Sequence, residues 1–301
     1  MPKLGFIGCG IVGSATLYGF LHNNYCTRDD IRIYDKFKTE VDIRGFKKRT
    51  ESLEDVVKNS RFIFVSLPTP YRVTEREKIN NTEVEWGEID LSIMNENIEE
   101  IVKHIFDKEQ VIIIRSTIVP GTTRGYSEKY KGIRFCFNPE FLREKTAYED
   151  FLNPDRIVMG ADDAHTKRIV EALYRNRFQD APLFLTDTET AEMSKYMANI
   201  TLATIIMLGN QMQDICNALG INYEEVKGIV KADHRLKNVP LDVTSVRGFG
   251  GKCFPKDLVA MIRRAEELGV NVDFLKSIWI NNLRIRKTRD WHEIDGARTP
   301  K

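Results

Sequence analysis

Leu4-Gly5-Phe6-Ile7-Gly8-Cys9-Gly10-Ile11-Val12-Gly13-Ser14-Ala15 is the stretch that decides the fold. A short apolar run ends in three glycines at Gly-x-Gly-x-x-Gly spacing, and a helical pattern follows with Leu17, Tyr18 and Leu21 on one side. Ile31-Arg32-Ile33-Tyr34-Asp35 then reads as a second strand ending in an acid. Strand, glycine turn, helix, strand and acid together form the setting in which such a motif cradles a dinucleotide. Gly8 permits the tight turn, Gly10 lets a pyrophosphate approach the backbone, and Gly13 lets the helix pack on the strand. The N–H groups that open the helix, around Ile11 and Val12, meet the phosphates. Asp35 accepts from a ribose 2′-hydroxyl and repels a 2′-phosphate, which favours NAD over NADP; Lys36 and Lys38 close by moderate that preference.

Outward from this unit the alternation continues. Leu53 to Val57 reads as a short helix and Phe62-Ile63-Phe64-Val65 as a buried strand, ending in Ser66-Leu67-Pro68-Thr69-Pro70. Residues 71–90 are polar and charged with little periodicity, so the expectation is a mobile surface loop. An amphipathic helix from Leu91 to Phe106 leads to the uniformly apolar strand Val111–Ile114, which ends in Arg115-Ser116-Thr117-Ile118-Val119-Pro120-Gly121-Thr122. Pro68, Thr69, Ser116 and Thr117 thus fall at the strand ends where parallel sheets bind ligands; Thr117 also suits a helix cap. Further strands are expected at Ile133–Phe137, Arg156–Gly160 and Leu183–Thr186. The pattern predicts an α/β, doubly wound, Rossmann-like and mostly parallel sheet over residues 1–188. Within it, Asn138-Pro139-Glu140-Phe141-Leu142 places Glu140 near the start of a helix, where an acid is also stabilising for structural reasons alone.

From Glu189 the pattern changes. Ala191, Met193, Met197, Ile200, Leu202, Ile205, Ile206, Leu208 and Met212 lie in one proline-free segment reaching about Leu219. This predicts an all-α domain over 189–292, built on one long central helix that suits a homodimer interface. Lys195 and Asn199 stand four residues apart and share a face of that helix. A short helix is expected near Tyr223–Lys231, then helices at Leu258–Leu268 and from Asp273 to Trp291. Residues 293–301 read as a disordered tail.

Between these helices lies Gly248-Phe249-Gly250-Gly251-Lys252-Cys253-Phe254-Pro255-Lys256-Asp257. Backbone this rich in glycine is costly and is kept where unusual dihedrals or close approach demand it. A cysteine at such a bend, before a helix N-terminus and beside Lys252 and Lys256, is placed for thiolate chemistry. A surface turn around a buried, inert cysteine remains the other reading.

Composition narrows the class. The chain has 301 residues, 42% hydrophobic and 30% charged, with a net charge of +1. That balance offers no basis for nucleic-acid binding or an acidic membrane surface. No apolar run approaches the roughly 18 residues that cross a bilayer, and the segment after Met1 lacks the apolar core of a signal peptide. Five scattered cysteines without metal-type spacing fit a reducing, cytoplasmic setting and leave room for one reactive thiol.

With the glycine fingerprint, Ser-Thr-Ile-Val-Pro-Gly-Thr, Asn-Pro-Glu-Phe-Leu, Lys195 with Asn199, and Gly-Phe-Gly-Gly-Lys-Cys-Phe-Pro-Lys-Asp in this order, the chain resembles the UDP-glucose/GDP-mannose dehydrogenase family. The likeness runs from about residue 3 to about residue 290. It implies oxidation of a sugar-nucleotide primary alcohol to a carboxylate with two NAD. UDP-glucose is the expected substrate, and GDP-mannose or an N-acetylated UDP-hexosamine the sibling alternatives. By the same resemblance Cys253 is the nucleophile of a thiohemiacetal and thioester, and Lys195 and Asn199 stabilise the alkoxide. Asp257 and Thr117 hold water. Glu140, with Phe141 and Leu142, contacts sugar and assists base chemistry. Lys256, Phe249 and Gly250 match substrate-contacting positions, and Arg235 an arginine that reaches substrate from a neighbouring subunit. Family members usually continue into a C-terminal UDP-binding domain, which this sequence lacks. A natural short form, an expressed fragment, a split enzyme with a separate UDP-binding chain, or an NAD-binding subunit without activity of its own each accommodate that. A two-domain β-hydroxyacid dehydrogenase shares the layout but has no need of a nucleophilic cysteine.

Overall fold

Strand β1 (Leu4–Ile7) is buried along its whole length, and α1 (Ile11–Leu21) returns along the sheet to β2 (Ile31–Tyr34). In the computed structural model, which describes all residues except 1–2, 23–24, 295 and 300–301, the chain divides into two units. One comprises Met1–Thr69 and Leu91–Lys195, the other Pro70–Asp90 and Tyr196–Lys301.

The first unit continues through β3 (Glu40–Ile43), β4 (Phe46–Arg49), α2 (Leu53–Lys58) and β5 (Phe62–Val65). Pro70–Asp90, in the second unit, carries β6 (Tyr71–Ile79) and β7 (Thr82–Ile89). The first unit resumes with α3 (Ser92–Lys103), β8 (Val111–Ile114), α4 (Thr122–Lys129) and β9 (Arg134–Phe137). It closes with α5 (Ala147–Leu152), β10 (Ile157–Gly160), α6 (Ala164–Arg177) and β11 (Leu183–Thr186). Its seven-stranded sheet has the order β11-β10-β9-β8-β5-β1-β2 and is parallel except where β10 meets β9. Because β2, β1, β5, β8 and β9 pair in step, Tyr34, Ile7, Val65, Ile114 and Phe137 form one row across the sheet. The chain therefore leaves these five strands at the same edge. Strand order reverses beside β1, so the loops after β1 and β5 flank the switch point where parallel sheets take their ligands.

The expected mobile loop at 71–90 is instead an antiparallel hairpin, turned by Asn80 and Asn81 at positive φ of 47° and 65°. Tyr71 and Val84 bury in the second unit's core with Leu258, Trp279, Leu283 and Trp291, which anchors the hairpin to the helices. A register shift between Val73 and Glu75 breaks the alternation that would have disclosed it. The tail expected over 293–301 is likewise ordered where described. Ala297 is buried, its carbonyl accepts from the Tyr71 N–H (3.1 Å), and the Thr299 N–H donates back to the Tyr71 carbonyl (3.0 Å). Residues 295, 300 and 301 lie outside the described residues.

The long helix is α7 (Thr188–Leu219, 32 residues), whose first two turns belong to the first unit and whose remainder belongs to the second. The division between the two units falls after Lys195, within one continuous helix. The second unit adds α8 (Tyr223–Lys231), α9 (Phe254–Glu267) and α10 (Asp273–Ile285). Among the described residues no helix is long and apolar enough to cross a membrane.

Candidate active site

In the first unit, each fingerprint glycine has its own physical reason. Gly8 adopts φ +85°, and a Cβ there would strike the Ser66 carbonyl; a Cβ on Gly13 would strike the Gly8 carbonyl. Gly10 differs, because a Cβ there would meet nothing within 4 Å. Packing therefore does not require glycine at position 10, and the backbone there is open to close approach. Gly10 is also the N-cap of α1, which no side chain caps among the described residues, and Ile11 and Val12 form its first turn. Asp35 Oδ2 accepts from the Cys9 N–H (2.9 Å) and Lys38 Nζ donates to the Cys9 carbonyl (2.5 Å), so both side chains also pin the glycine loop. The carboxylate keeps lone pairs to offer a ribose. Turn, open approach and terminal acid fit a dinucleotide.

The loops after β5 and β8 are stitched together. Ser116 Oγ donates to the Leu67 carbonyl and accepts from the Leu67 N–H, both at 2.8 Å, and Thr69 Oγ1 donates to the Thr117 carbonyl (2.8 Å). Ser116 and Thr69 are buried, while Thr117 is half-buried and Pro68 exposed. Thr117 caps no helix, since α4 begins at Thr122 after Gly121 at φ +99°. The cap comes from Glu192 on α7, which sequence reasoning missed. Its Oε2 accepts from the Gly121 N–H (2.6 Å), and its Oε1 from the Thr123 N–H (2.9 Å) and hydroxyl (2.6 Å). Full burial pushes the Glu192 carboxyl up to about 7 in spite of those donors.

Glu140 lies in the loop after β9, with no helix begun until residue 144, so the helix-start explanation of this acid falls away. Its Oε1 is 2.8 Å from Lys195 Nζ and its Oε2 accepts from the Leu142 N–H (2.8 Å). Burial alone would raise the Glu140 carboxyl; the Lys195 ammonium and the Leu142 N–H outweigh it and hold it below the usual carboxylate range. Lys195 Nζ also lies 5.8 Å from the Phe141 ring centroid. Four predicted residues, Glu140, Phe141, Leu142 and Lys195, are thereby brought together.

In the second unit, Cys253 takes the N-cap position of α9, and Pro255 stands in the first turn. That is the end of the helix where the macrodipole is positive. Of the five cysteines, none in a disulfide, Cys253 is exposed and the other four are buried. Burial pushes the Cys9 and Cys26 thiols up to about 12 and raises Cys136 further. Asp257, one turn into α9 and 1% exposed, accepts from Asn199 Nδ2 at one oxygen and Lys256 Nζ at the other, each at 2.6 Å. Lys256, expected by resemblance at a substrate-contacting position, is bonded here to the neighbouring acid. Phe249 is buried, stacked at 6.3 Å on Trp279, and a Cβ on Gly250 would collide with Arg286 and Asp290. Arg235 is exposed and paired with Asp233 (2.5 Å).

Residues 27–178 match the NAD binding domain of the UDP-glucose/GDP-mannose dehydrogenase family, and residues 189–283 match its central domain. The chain belongs to this family. A UDP-glucose 6-dehydrogenase of Rickettsia typhi is 34% identical over 292 residues, covering 93% of this chain and 66% of its own length. A GDP-mannose 6-dehydrogenase of Pseudomonas aeruginosa is 34% identical over 208 residues, covering 65% of this chain and 47% of that protein. Among solved structures, a UDP-glucose dehydrogenase from the archaeon Pyrobaculum islandicum superposes with a TM-score of 0.73 at 28% identity, over 94% of this chain and 68% of that one. This member of the UDP-glucose/GDP-mannose dehydrogenase family spans about two thirds of the relatives it matches.

Proposed function

We propose that the chain carries out NAD-dependent oxidation of UDP-glucose to UDP-glucuronate through a covalent intermediate on Cys253. The observation that carries this is the Cys253 site itself. The one exposed cysteine stands at a helix N-terminus, one turn before an aspartate held between an amide and an ammonium. The loop Gly8–Gly13, Asp35 and the loops of Pro68–Thr69 and Ser116–Thr117 would hold NAD, which would supply the hydride acceptor, one NAD for each of the two oxidations. An aldehyde has no hydride to give until a nucleophile adds to it. The Cys253 thiolate adds to that carbon, and the resulting alkoxide of the thiohemiacetal is stabilised by the Lys195 charge and the Asn199 amide. Oxidation of this adduct leaves a thioester. Water, held by Asp257 and Thr117, then attacks the thioester carbon; the C–S bond breaks, the carboxylate leaves, and the thiolate is regenerated. Glu140, kept ionised by Lys195, is assigned as the base that takes the proton released by the alcohol in the first oxidation and by the attacking water in the hydrolysis, while Lys195 keeps its charge. Lys256 holds Asp257, while Arg235, Phe141, Leu142, Phe249 and Gly250 are assigned to the sugar nucleotide by likeness to relatives.

The match to UDP-glucose dehydrogenases over more of the chain than to a GDP-mannose enzyme supports the choice of sugar nucleotide. Comparing UDP-glucose, GDP-mannose and UDP-N-acetylglucosamine tests it. The expected result is a kcat/KM for UDP-glucose at least about tenfold above the others, a margin that a few polar contacts supply. Faster oxidation of GDP-mannose would transfer the assignment to that sugar. A second copy of the chain is the proposed partner. Met197, Leu208, Met212, Ile215 and Leu219 of α7 are 64%, 50%, 41%, 43% and 68% exposed, more apolar surface than a lone helix ordinarily leaves to water. A cytoplasmic setting accords with five cysteines that form no disulfide.

A further inference from the structure

The five residues just before Lys252-Cys253, Arg247 to Gly251, form a loop that the chain would not adopt unaided. Arg247, Gly248 and Gly251 all have positive φ, 63°, 52° and 76°, and Arg247 carries a side chain that disfavours it. Such backbone persists only where its surroundings over-determine it. Here they do. Asn282, fully buried on α10, accepts from the Phe249 N–H (2.8 Å) and donates to the Phe249 carbonyl (3.0 Å), closing a two-point amide pair. Arg286, one turn on, donates to the Arg247 carbonyl (2.8 Å) and grips Asp290 Oδ1 (2.8 and 3.1 Å). Asp290 Oδ2 then accepts from the Gly251 N–H (3.0 Å). From the other side Asn210 of α7 accepts from the Gly248 N–H (3.1 Å) and from Arg247 Nε (2.8 Å). The glycines follow from the clamp. A Cβ on Gly248 would strike Asn282, and one on Gly250 would strike Arg286 and Asp290.

We propose that Asn282, Arg286 and Asp290 are positioning residues that fix the backbone entering Cys253, so that the thiol is presented to the substrate carbon in one orientation. None of the three touches the reacting atoms; they act through the loop. This rests on the nucleophilic role of Cys253 given above, and it is tested so that the two can fail separately.

The experiment compares the wild-type chain with Asp290→Ala and Asp290→Asn, the latter keeping one oxygen for the Gly251 N–H. Hydrogen–deuterium exchange of the peptide spanning 247–253 reads the clamp, alkylation of Cys253 by iodoacetamide at fixed pH reads the thiol, and kcat and KM with UDP-glucose and NAD read the chemistry. In Asp290→Ala, exchange at Gly248, Phe249 and Gly251 quickens about tenfold. Cys253 alkylation changes at least about fivefold, and kcat falls tenfold or more with KM within about twofold, as expected of a misplaced reacting group. Asp290→Asn lies between the two. Unaltered exchange and alkylation in Asp290→Ala would overturn the proposal, and so would quicker exchange with kcat unmoved. Altered exchange and alkylation in a protein whose wild type oxidises no sugar nucleotide would leave the clamp standing and overturn the proposed reaction instead.

Discussion

The Lys195 ammonium and the Glu140 carboxylate face each other at 2.8 Å while their residues are only 3% and 7% exposed. A buried pair of this kind adds little over an apolar pair of equal volume, but losing one partner strands the other's charge. Lys195→Met should therefore cost about 3 kcal/mol or more, read by denaturant unfolding near neutral pH. The double variant Lys195→Met/Glu140→Gln should recover part of that loss. Because the folded-state Glu140 carboxyl is held low, the pair's contribution is whole at neutral pH. It should fade as pH falls through and below the ordinary carboxylate range. Equal stability of Lys195→Met and wild type across this range would show that the pair does not form.

Glu192 should behave with the opposite sign. Its carboxyl rises from 4.5 to about 7 on folding, so between those values the folded state holds a proton that the unfolded state has released. Stability then falls as pH rises through that window, by about 1.4 kcal/mol per unit at most. Glu192→Gln should remove the slope while losing one of the capping bonds to Gly121 and Thr123. Unfolding of both proteins at half-unit steps from pH 4.5 to 7.5 measures it, and parallel curves would refute it.

The glycine loop separates packing from ligand contact. Gly10→Ala meets no neighbour and should cost at most about 1 kcal/mol as an N-cap change, yet weaken NAD binding tenfold or more. Gly13→Ala meets the Gly8 carbonyl and should destabilise the fold by about 2 kcal/mol. Calorimetric NAD titration beside thermal unfolding tells them apart; unimpaired NAD binding in Gly10→Ala would remove that residue from the site.

What the sequence disclosed was local or strictly periodic. The fingerprint lies within six residues of β1, and Asp35 closes β2, so spacing alone located them. The helix through Lys195 and Asn199 announced itself by length and apolar content. The hairpin at 71–90 did not, because its register shift and its exposed charged face hide the alternation of Tyr71, Val73, Val84 and Trp86. Asn138-Pro139 stops the strand and suggests that Glu140 lies near the start of the next helix, but the chain stays irregular as far as Arg143. The clamp on the cysteine loop was out of reach, since Asn282 stands 33 residues from Phe249 and nothing in its own neighbourhood marks it.

Exposure makes Cys253 the chemically available thiol. Brief treatment with iodoacetamide near pH 8 should label it alone, and peptide masses should leave Cys9, Cys26 and Cys136 unmodified in the folded protein. Labelling of any of those three at a comparable rate would contradict the burial that keeps them inert.

The covalent role of Cys253 is tested most directly by counting NADH against acid formed from UDP-glucose, in the wild-type chain and in Cys253→Ser. Two NADH per UDP-glucuronate are predicted for the wild type, and for Cys253→Ser no appreciable acid, because the aldehyde lacks its sulfur nucleophile. Undiminished acid production by Cys253→Ser would contradict the account.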